Sequence, residues 1–254
     1  MKRNIIILSA LICTAMLCSC VSLPYSGTLP AVSTETAADN ISSFDLTKGG
    51  SEMFEAADGW CNGSMFNVTW RKENVTFENN SMQLIIDKDS KAGTVPYSGG
   101  EYRSKEFYSY GRYEVRMKAI KNDGVVSSFF TYTGPSDNNP WDEIDIEILG
   151  KDTTKVQFNY FTDGKGEHEY MYDLGFDASE DFHDYAFEWH KDKIVWFVDG
   201  KEVYTATENI PSTSGKIMMN AWCGTGVDSW LNAFDDSRLP LKTEYEKISF
   251  TPFE

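Results

Sequence analysis

From residue 49 to the C-terminus, the hydrophobic positions of this chain repeat with a period of two rather than with the 3.6 of a helix. Apolar or aromatic side chains alternate with polar ones, or β-branched and aromatic residues form a short run. The predicted strands are 82–86, 112–118, 155–161, 185–189, 193–198, 201–205, 216–222 and 244–250. No segment carries a sustained helical stripe with capping residues. Many short strands with glycine-rich turns predict an all-β sandwich or barrel.

One turn can be predicted in detail. Asp199-Gly200 separates two strand-like runs, and this pair favours a type I′ turn because both of its positions need positive φ. We therefore predict a hairpin with a two-residue loop there. Three tryptophans, Trp70, Trp189 and Trp196, lie inside strand-like runs and are assigned to the core.

The composition divides the chain into three parts. Residues 1–19 have a positive start at Lys2 and Arg3 and a short apolar stretch, which predicts a signal peptide rather than a membrane span. The end of that stretch resembles the lipobox of bacterial lipoproteins and would place a lipid on Cys20; an ordinary signal peptide is the alternative. Residues 20–48 are predicted to be a flexible Ser/Thr-rich tether. Residues 49–254 are predicted to form one domain that works outside the cytoplasm.

Charge and aromatic content narrow the possible partners. Lys and Arg number 23 against 39 Asp and Glu, so the formal net charge of the 254 residues is −16. That balance argues against nucleic acid, which is bound by releasing counterions from phosphates with basic side chains. Aromatic residues reach 14%. Such an excess in an acidic protein indicates a β-rich core or a ring-lined surface, for which sugars are common partners.

The candidate chemistry lies in residues 141–150, WDEIDIEILG. Side chains alternate along a strand, so Glu143, Asp145 and Glu147 share one face while three isoleucines share the other. The outer two Cα atoms lie about 13 Å apart, and long Glu side chains can lean inward from there. Retaining glycosidases need two carboxyls roughly 5–5.5 Å apart, one as nucleophile and one as proton donor. Asp145 would give the two glutamates different pKa values by raising the pKa of one of them.

A row of carboxylates is also typical of a calcium site or of a solvated acidic face. The surroundings favour a sugar site, because aromatic segments precede and follow the row. These segments are 129–135 and 220–230. Rings beside carboxylates are what a carbohydrate active site requires.

The chain resembles the bacterial lichenases (endo-β-1,3-1,4-glucanases) of glycoside hydrolase family 16. The matching segments are 62–63, 66–71, 101–104, 126–135, 141–154, 155–160, 175–179, 210–213 and 215–220, in unpermuted order. The resemblance implies a concanavalin-like jelly-roll β-sandwich of two antiparallel sheets with a cleft on the concave face. It implies endo-cleavage of mixed-linkage β-glucan with retention of configuration, by a catalytic domain over 49–254 that acts as a monomer and needs no cofactor for catalysis.

The resemblance also implies residue roles. Glu143 would be the nucleophile, Asp145 its helper and Glu147 the acid/base. The residues implied to line the glucan subsites are Asn62, Glu101, Arg103, Tyr132, Trp141, Asn159, Trp222 and Trp230. Without the resemblance, Glu101 and Arg103 could be a surface ion pair, and Trp222 and Trp230 could be core residues.

Alternatives to this function remain open. Within the family they are laminarinase (β-1,3-glucanase), agarase, carrageenase or a xyloglucan-modifying enzyme, whose signature often has one more residue before the final Glu. Outside enzymes, the alternative is a non-catalytic sugar-binding module on the same fold. The regular spacing and the two intact glutamates favour the lichenase interpretation.

The chain departs from the family's pattern at several positions. Val68 and Gly99 stand where lichenases commonly have a disulfide, and Phe161 stands where a cleft tyrosine is usual. A structural calcium is expected only weakly, because the segment before residue 58 is short and Glu246 stands where an Asp is usual. Cys61 and Cys223 flank predicted cleft residues, and we consider both a disulfide between them and two free thiols.

Overall fold

The computed structural model describes residues 43–91 and 93–253. The predicted signal peptide, the lipidation site at Cys20 and most of the tether lie outside these residues. The strands are β1 Phe44–Asp45, β2 Phe54–Ala56, β3 Val68–Trp70, β4 Val75–Glu78, β5 Ser81–Lys88, β6 Tyr97–Ser104, β7 Gly111–Lys118, β8 Val125–Thr133, β9 Asp142–Leu149, β10 Lys155–Phe161, β11 Tyr170–Asp173, β12 His183–Trp189, β13 Ile194–Val198, β14 Lys201–Ala206, β15 Lys216–Cys223 and β16 Leu241–Pro252.

Helical structure in the described ranges is limited to short turns. The 3₁₀ turns are Leu46–Lys48, Lys72–Asn74, Pro135–Asp137 and Asp236–Arg238, and the α-helix α1 is Asp228–Leu231. None of the helices in this part of the chain is long and apolar enough to cross a membrane.

The strands form two layers. The front sheet has the order β11-β10-β9-β8-β15-β6, and the back sheet has the order β5-β16-β7-β12-β13-β14. Pairing along these orders is antiparallel, and the layers are connected through a short β5–β6 contact of two residue pairs. The strand β3 adds to β6 in parallel. The all-β sandwich of two antiparallel sheets is confirmed.

The predicted strands agree with the observed ones. Each predicted run lies inside an observed strand or extends beyond it by a single residue, and 155–161 is the whole of β10. Asp199 and Gly200 join β13 to β14 with φ of 47° and 76°, so both positions have the positive φ that a type I′ turn requires. Period-two patterning predicts strands well here because each sheet buries one of its faces.

The core between the sheets contains hydrogen bonds that hold the front sheet against the back sheet. Trp196 on β13 is fully buried, and its Nε1 donates to the main-chain oxygen of Asp145 on β9, 3.2 Å away. The Tyr245 hydroxyl on β16 donates to the main-chain oxygen of Ser128 on β8 over 2.8 Å. Trp70, Trp189 and Trp196 all lie in the core, as predicted.

At the edge of the front sheet, Val68 and Gly99 lie side by side. A Cβ added to Gly99 would lie 3.0 Å from a Val68 methyl and 2.7 Å from the main-chain oxygen of Ala221. Close packing of backbone and valine therefore occupies the place where the family commonly has a disulfide.

Candidate active site

The strand β9 carries three carboxylates on its outer face. Ile144, Ile146 and Ile148 are buried in the core on the opposite face, at most 1% exposed. Burial of the isoleucines forces Glu143, Asp145 and Glu147 outward, because alternate side chains of a strand point to opposite faces. Glu143 and Glu147 are half-buried, and Asp145 between them is buried. The predicted division of the two faces is confirmed.

Strand register determines what flanks each carboxylate. Each of the three outer carboxylates has one neighbour on β10 and one on β8. The neighbours are Phe161 and Tyr132 for Glu143, Asn159 and Phe130 for Asp145, and Gln157 and Ser128 for Glu147. The three carboxylates therefore have different surroundings although they share a strand and a face.

Glu143 accepts a hydrogen bond from an exposed tryptophan. Trp141 Nε1 donates to Glu143 Oε2 over 2.6 Å, and the Trp141 ring stacks on Phe161 at 4.5 Å between centroids. Burial raises the pKa of Glu143 to about 7, while hydrogen bonds from Trp141 and Asp145 oppose that rise. Trp141 is 37% exposed and leaves a ring open beside the carboxylate.

A fourth carboxylate, Asp142, lies next to Trp141 at the start of β9. Asp142 points to the other side of the strand and is buried; its Oδ2 accepts the main-chain N–H groups of Ser212 and Thr213, and its Oδ1 accepts that of Asp163, each at 2.9 Å. These bonds hold the loop after β10, at Asp163, and the loop before β15, at residues 212–213, against the start of β9.

Asp145 and Glu147 are harder to ionise than an isolated carboxyl. Burial, followed by the charges of Glu143 and Glu147, raises the pKa of Asp145 well above its ordinary value. Burial, followed by the charge of Glu143, raises the pKa of Glu147 to about 8, and a hydrogen bond from Gln157 opposes this rise. Ionisation of one carboxyl in this row therefore makes its neighbours harder to ionise.

The other end of the front sheet carries a second polar group. Glu101 is 1% exposed, and burial raises its pKa to about 7, opposed by Arg103 and by Asn220 and Asn62. Arg103 Nη1 lies 4.0 Å from Glu101 Oε1, and its guanidinium lies 4.7 Å from the ring centre of Trp60. A surface ion pair is excluded as an account of Glu101, because the carboxylate is buried.

The comparisons with known proteins agree with this geometry. The family described as glycosyl hydrolases family 16 matches residues 62–247. This chain belongs to that family. A beta-glucanase of Acetivibrio thermocellus is 61% identical over 202 residues, which are 80% of this chain and 60% of the relative. The chain thus spans 60% of that relative's length.

Two further relatives match over most of their length. A beta-glucanase of Bacillus subtilis is 52% identical over 220 residues, covering 86% of this chain and 89% of the relative. The crystal structure of a beta-1,3-1,4-glucanase (lichenase) derived from a mouse hindgut metagenome has a TM-score of 0.81 and 52% identity, covering 83% of this chain and 98% of that one. The jelly-roll fold of family 16 is therefore confirmed.

In this family 16 domain, Trp222 and Trp230 are placed differently from each other. Trp222 shares the outer face of β15 with Asn220 but is only 3% exposed, because Phe66 packs on it at 4.1 Å between ring centres and Trp230 at 5.9 Å. Trp230 on α1 is half-buried, and its Nε1 donates to Gln157 Oε1. Trp222 is therefore a buried support for the outer face of the front sheet, and Trp230 lies at the edge of that face.

Asn62 and Asn159 lie at opposite ends of the face. Asn62 precedes β3, and its Oδ1 accepts from Trp60 Nε1 at 3.1 Å and from Trp70 Nε1 at 2.9 Å. Asn159 is buried beside Asp145, and its Oδ1 has no hydrogen-bond partner among the described residues. An unpartnered buried acceptor beside the carboxylates suits a sugar hydroxyl.

Sequence reasoning missed three residues of this face. Trp60 is 37% exposed, and its ring packs on the guanidinium of Arg103. Gln157 donates a hydrogen bond to Glu147. Asn220 accepts one from Ser128 Oγ at 2.6 Å. Gln157 and Asn220 lie two residues from the predicted Asn159 and Trp222. The period of two along β10 and β15 could have found both.

Of the two states considered for Cys61 and Cys223, the structure contradicts the disulfide. Both thiols are free: Cys61 Sγ contacts the main-chain oxygen of Phe66 at 3.2 Å, and Cys223 Sγ contacts that of Asn67 at 3.8 Å. Each thiol thus contacts a main-chain oxygen of the segment between the two cysteines.

Glu246, the residue expected near a structural calcium, is paired with an arginine instead. Glu246 Oε2 accepts from Arg116 Nε at 2.9 Å and is committed to that ion pair. Within residues 43–91 and 93–253, no group of three or more His, Cys, Asp or Glu side chains is arranged to hold a metal ion.

Proposed function

We propose that this protein is an endo-acting, retaining glycoside hydrolase that cleaves mixed-linkage β-1,3-1,4-glucan such as lichenan or cereal β-glucan. The observation that carries the proposal is the pair of half-buried glutamates on one open sheet face, each with different hydrogen-bond partners. Beta-glucanase relatives at 52% and 61% identity support the substrate class.

Glu143 is the nucleophile and Glu147 the acid/base of this proposal. A Glu143 oxygen attacks the anomeric carbon, the glycosidic C–O bond breaks, and the proton of Glu147 passes to the leaving oxygen. Water then attacks the same carbon and gives a proton to Glu147, while the ester bond to Glu143 breaks. Two displacements at one carbon retain its configuration.

The electrostatics support this order of roles. The charge of Glu143 raises the pKa of Glu147, so an ionised Glu143 keeps the proton on Glu147. Trp141 and Asp145 donate to Glu143 and stabilise its charge. The proton kept on Glu147 is then available for the leaving group.

The rest of the face serves as a binding surface. Trp60 and Trp141 expose aromatic rings near opposite ends of the face, and Glu101, Arg103, Tyr132 and Asn159 lie between them or beside them. Rings pack on sugar faces and polar side chains bind hydroxyls. An open face of this kind accepts the interior of a polymer, which is what endo-cleavage requires.

Azide separates the two roles by stereochemistry. In Glu143→Ala, azide should occupy the space of the carboxylate and convert an activated β-glycoside into an α-glycosyl azide. In Glu147→Ala, azide should attack the covalent intermediate and give the β-product. Glu147→Gln should cripple hydrolysis of β-glucan but spare the first step on aryl glycosides whose leaving group needs no proton. Exchanged products would reverse the roles, and full activity in both variants would refute the proposal.

A back-sheet glutamate provides the control. Glu114 on β7 pairs with Arg112, with 3.0 Å between Glu114 Oε1 and Arg112 Nη2, and faces away from the core. Glu114→Gln should leave β-glucan hydrolysis unchanged.

Substrate comparison separates the alternatives. We expect more reducing sugar from barley β-glucan than from laminarin or carboxymethylcellulose. Preference for laminarin would indicate a β-1,3-glucanase instead. Binding of β-glucan without any release of sugar would indicate a non-catalytic module.

We also propose that the protein acts as a monomer outside the cytoplasm, attached to the cell envelope by a lipid on Cys20 after removal of residues 1–19. Support for the signal peptide comes from the basic start and apolar stretch of residues 2–17, and support for the lipid from residues 17–20. The native protein should partition into detergent, and Cys20→Ala should release it or block processing. Soluble protein cleaved elsewhere would contradict the anchor.

A further inference from the structure

One hydrogen-bond chain reaches Glu147 from outside the carboxylate row. Gln157 lies opposite Glu147 on the neighbouring strand β10 and is buried. Its Nε2 donates to Glu147 Oε2 over 2.8 Å, and its Oε1 accepts from Trp230 Nε1 over 3.1 Å. Both ends of this buried amide therefore make a hydrogen bond: its oxygen to the indole and its nitrogen to the carboxyl.

The indole determines which way the amide faces. An indole nitrogen can only donate, so the group of Gln157 that faces Trp230 has to be the carbonyl oxygen. The amide NH₂ must then face Glu147. With the amide reversed, two donors would meet at Trp230, and one of them would stay unpaired in a buried place.

The orientation of the amide has a consequence for the carboxyl. Glu147 Oε2 accepts from an N–H group, and that amide nitrogen cannot accept a proton in return. Glu147 Oε1 has no hydrogen-bond partner among the described side chains. The neighbour on β8, Ser128, donates its hydroxyl to Asn220 Oδ1 at 2.6 Å and does not compete.

We propose that Trp230 and Gln157 form a positioning relay that keeps the acid proton of Glu147 on Oε1, the oxygen left free for the leaving group. This inference rests on the proposed role of Glu147 as acid/base. Trp230 acts here through its N–H rather than as a ring against sugar, and Gln157 is a positioning residue.

The relay makes a prediction about pH dependence. The bond from Gln157 favours the ionised form of Glu147, so its loss should raise the pKa of Glu147. The carboxyls that act on Glu147 are Glu143 and Asp145 on β9 and Glu169 next to β11. All three are retained in the variants below.

The test uses Gln157→Met, which conserves volume but removes the amide, and Trp230→Phe, which removes the indole N–H but keeps an aromatic ring. Both should lose about 10- to 100-fold in kcat/KM on β-glucan, mainly in kcat. Both should lose less than about threefold on a dinitrophenyl glycoside, whose leaving group needs no proton. The alkaline limb of the pH profile should move upward, and the double variant should be no worse than Gln157→Met.

A buried glutamine elsewhere is the matched control. Gln83 on β5 is buried in the back sheet and accepts from Lys242 Nζ at 2.9 Å. Gln83→Met should change stability without moving the alkaline limb. The relay would be overturned if Gln157→Met and Trp230→Phe lost equal activity on both substrates or left the alkaline limb of the pH profile in place. Additive effects in the double variant would overturn it as well.

Carboxyl NMR titration of Glu147 tests the relay without activity. Its pKa should be higher in Gln157→Met than in the parent protein, and an unchanged or lower value would refute the relay. A parent protein that does not hydrolyse β-glucan, or a Glu147→Gln variant with full activity, would overturn the proposed function instead. An active parent with a crippled Glu147→Gln variant and a normal Gln157→Met variant would overturn only the relay.

Discussion

Asp145 offers the sharpest test of how the carboxylate row works. It is buried between two glutamates, and burial and their charges raise its pKa well above the ordinary value. The raised pKa favours the protonated form of Asp145, which donates a hydrogen bond to Glu143. Asparagine resembles a protonated aspartic acid in shape and keeps a donor, whereas alanine has none.

The size of the effect follows from that hydrogen bond. A hydrogen bond to a charged group contributes about 1.5–3 kcal/mol. Because one pH unit corresponds to about 1.4 kcal/mol, Asp145→Ala should raise the pKa of Glu143 by about one to two pH units. Loss of a bond to the ionised form raises a carboxyl's pKa, so the acid limb of the pH profile moves upward from near 7.

The assay is kcat/KM on β-glucan between pH 4 and 10 for both variants, with thermal unfolding to exclude loss of the fold. Asp145→Asn should keep the acid limb in place and retain more activity than Asp145→Ala. If Asp145 were ionised, both variants would remove a negative charge beside Glu143 and the limb would move downward. That direction would refute the argument.

Three further predictions concern stability and thiols. In denaturant unfolding, Trp196→Phe should lower the free energy of unfolding by about 1 kcal/mol for the lost hydrogen bond to the Asp145 carbonyl. Trp196→Ala should lower it by about 3–5 kcal/mol, and equal losses in the two variants would contradict this. The raised pKa of Glu147 costs stability as pH rises from 4.5 to about 8, so Glu147→Gln should increase Tm over the parent more at pH 8 than at pH 5; a constant difference would refute it. The unreduced mature domain should titrate Cys61 and Cys223 as free thiols when denatured, with fully buried Cys223 unreactive before unfolding; no free thiol would contradict the structure.

Much of the fold was predictable from the sequence because strand patterning is local. Isoleucines at 144, 146 and 148 could be placed in the core, and the carboxylates opposite them on the outer face, from alternation alone. The Asp199-Gly200 turn was equally local, since its conformation depends on two residues that tolerate positive φ. The family resemblance then placed Glu101, Arg103 and Asn62 on the same face.

What the sequence could not show depends on pairing between distant segments. Gln157 meets Glu147 only because β10 pairs with β9 in that register, and Trp230 reaches Gln157 from a helix 73 residues away. Cys61 and Cys223 flank the same site, yet their thiols face different carbonyls, which spacing along the chain cannot reveal. Which side chains face outward can be read from the sequence, because alternation is a property of each strand. Which of them touch depends on the folded chain, because register, burial and the shifted pKa values arise between strands.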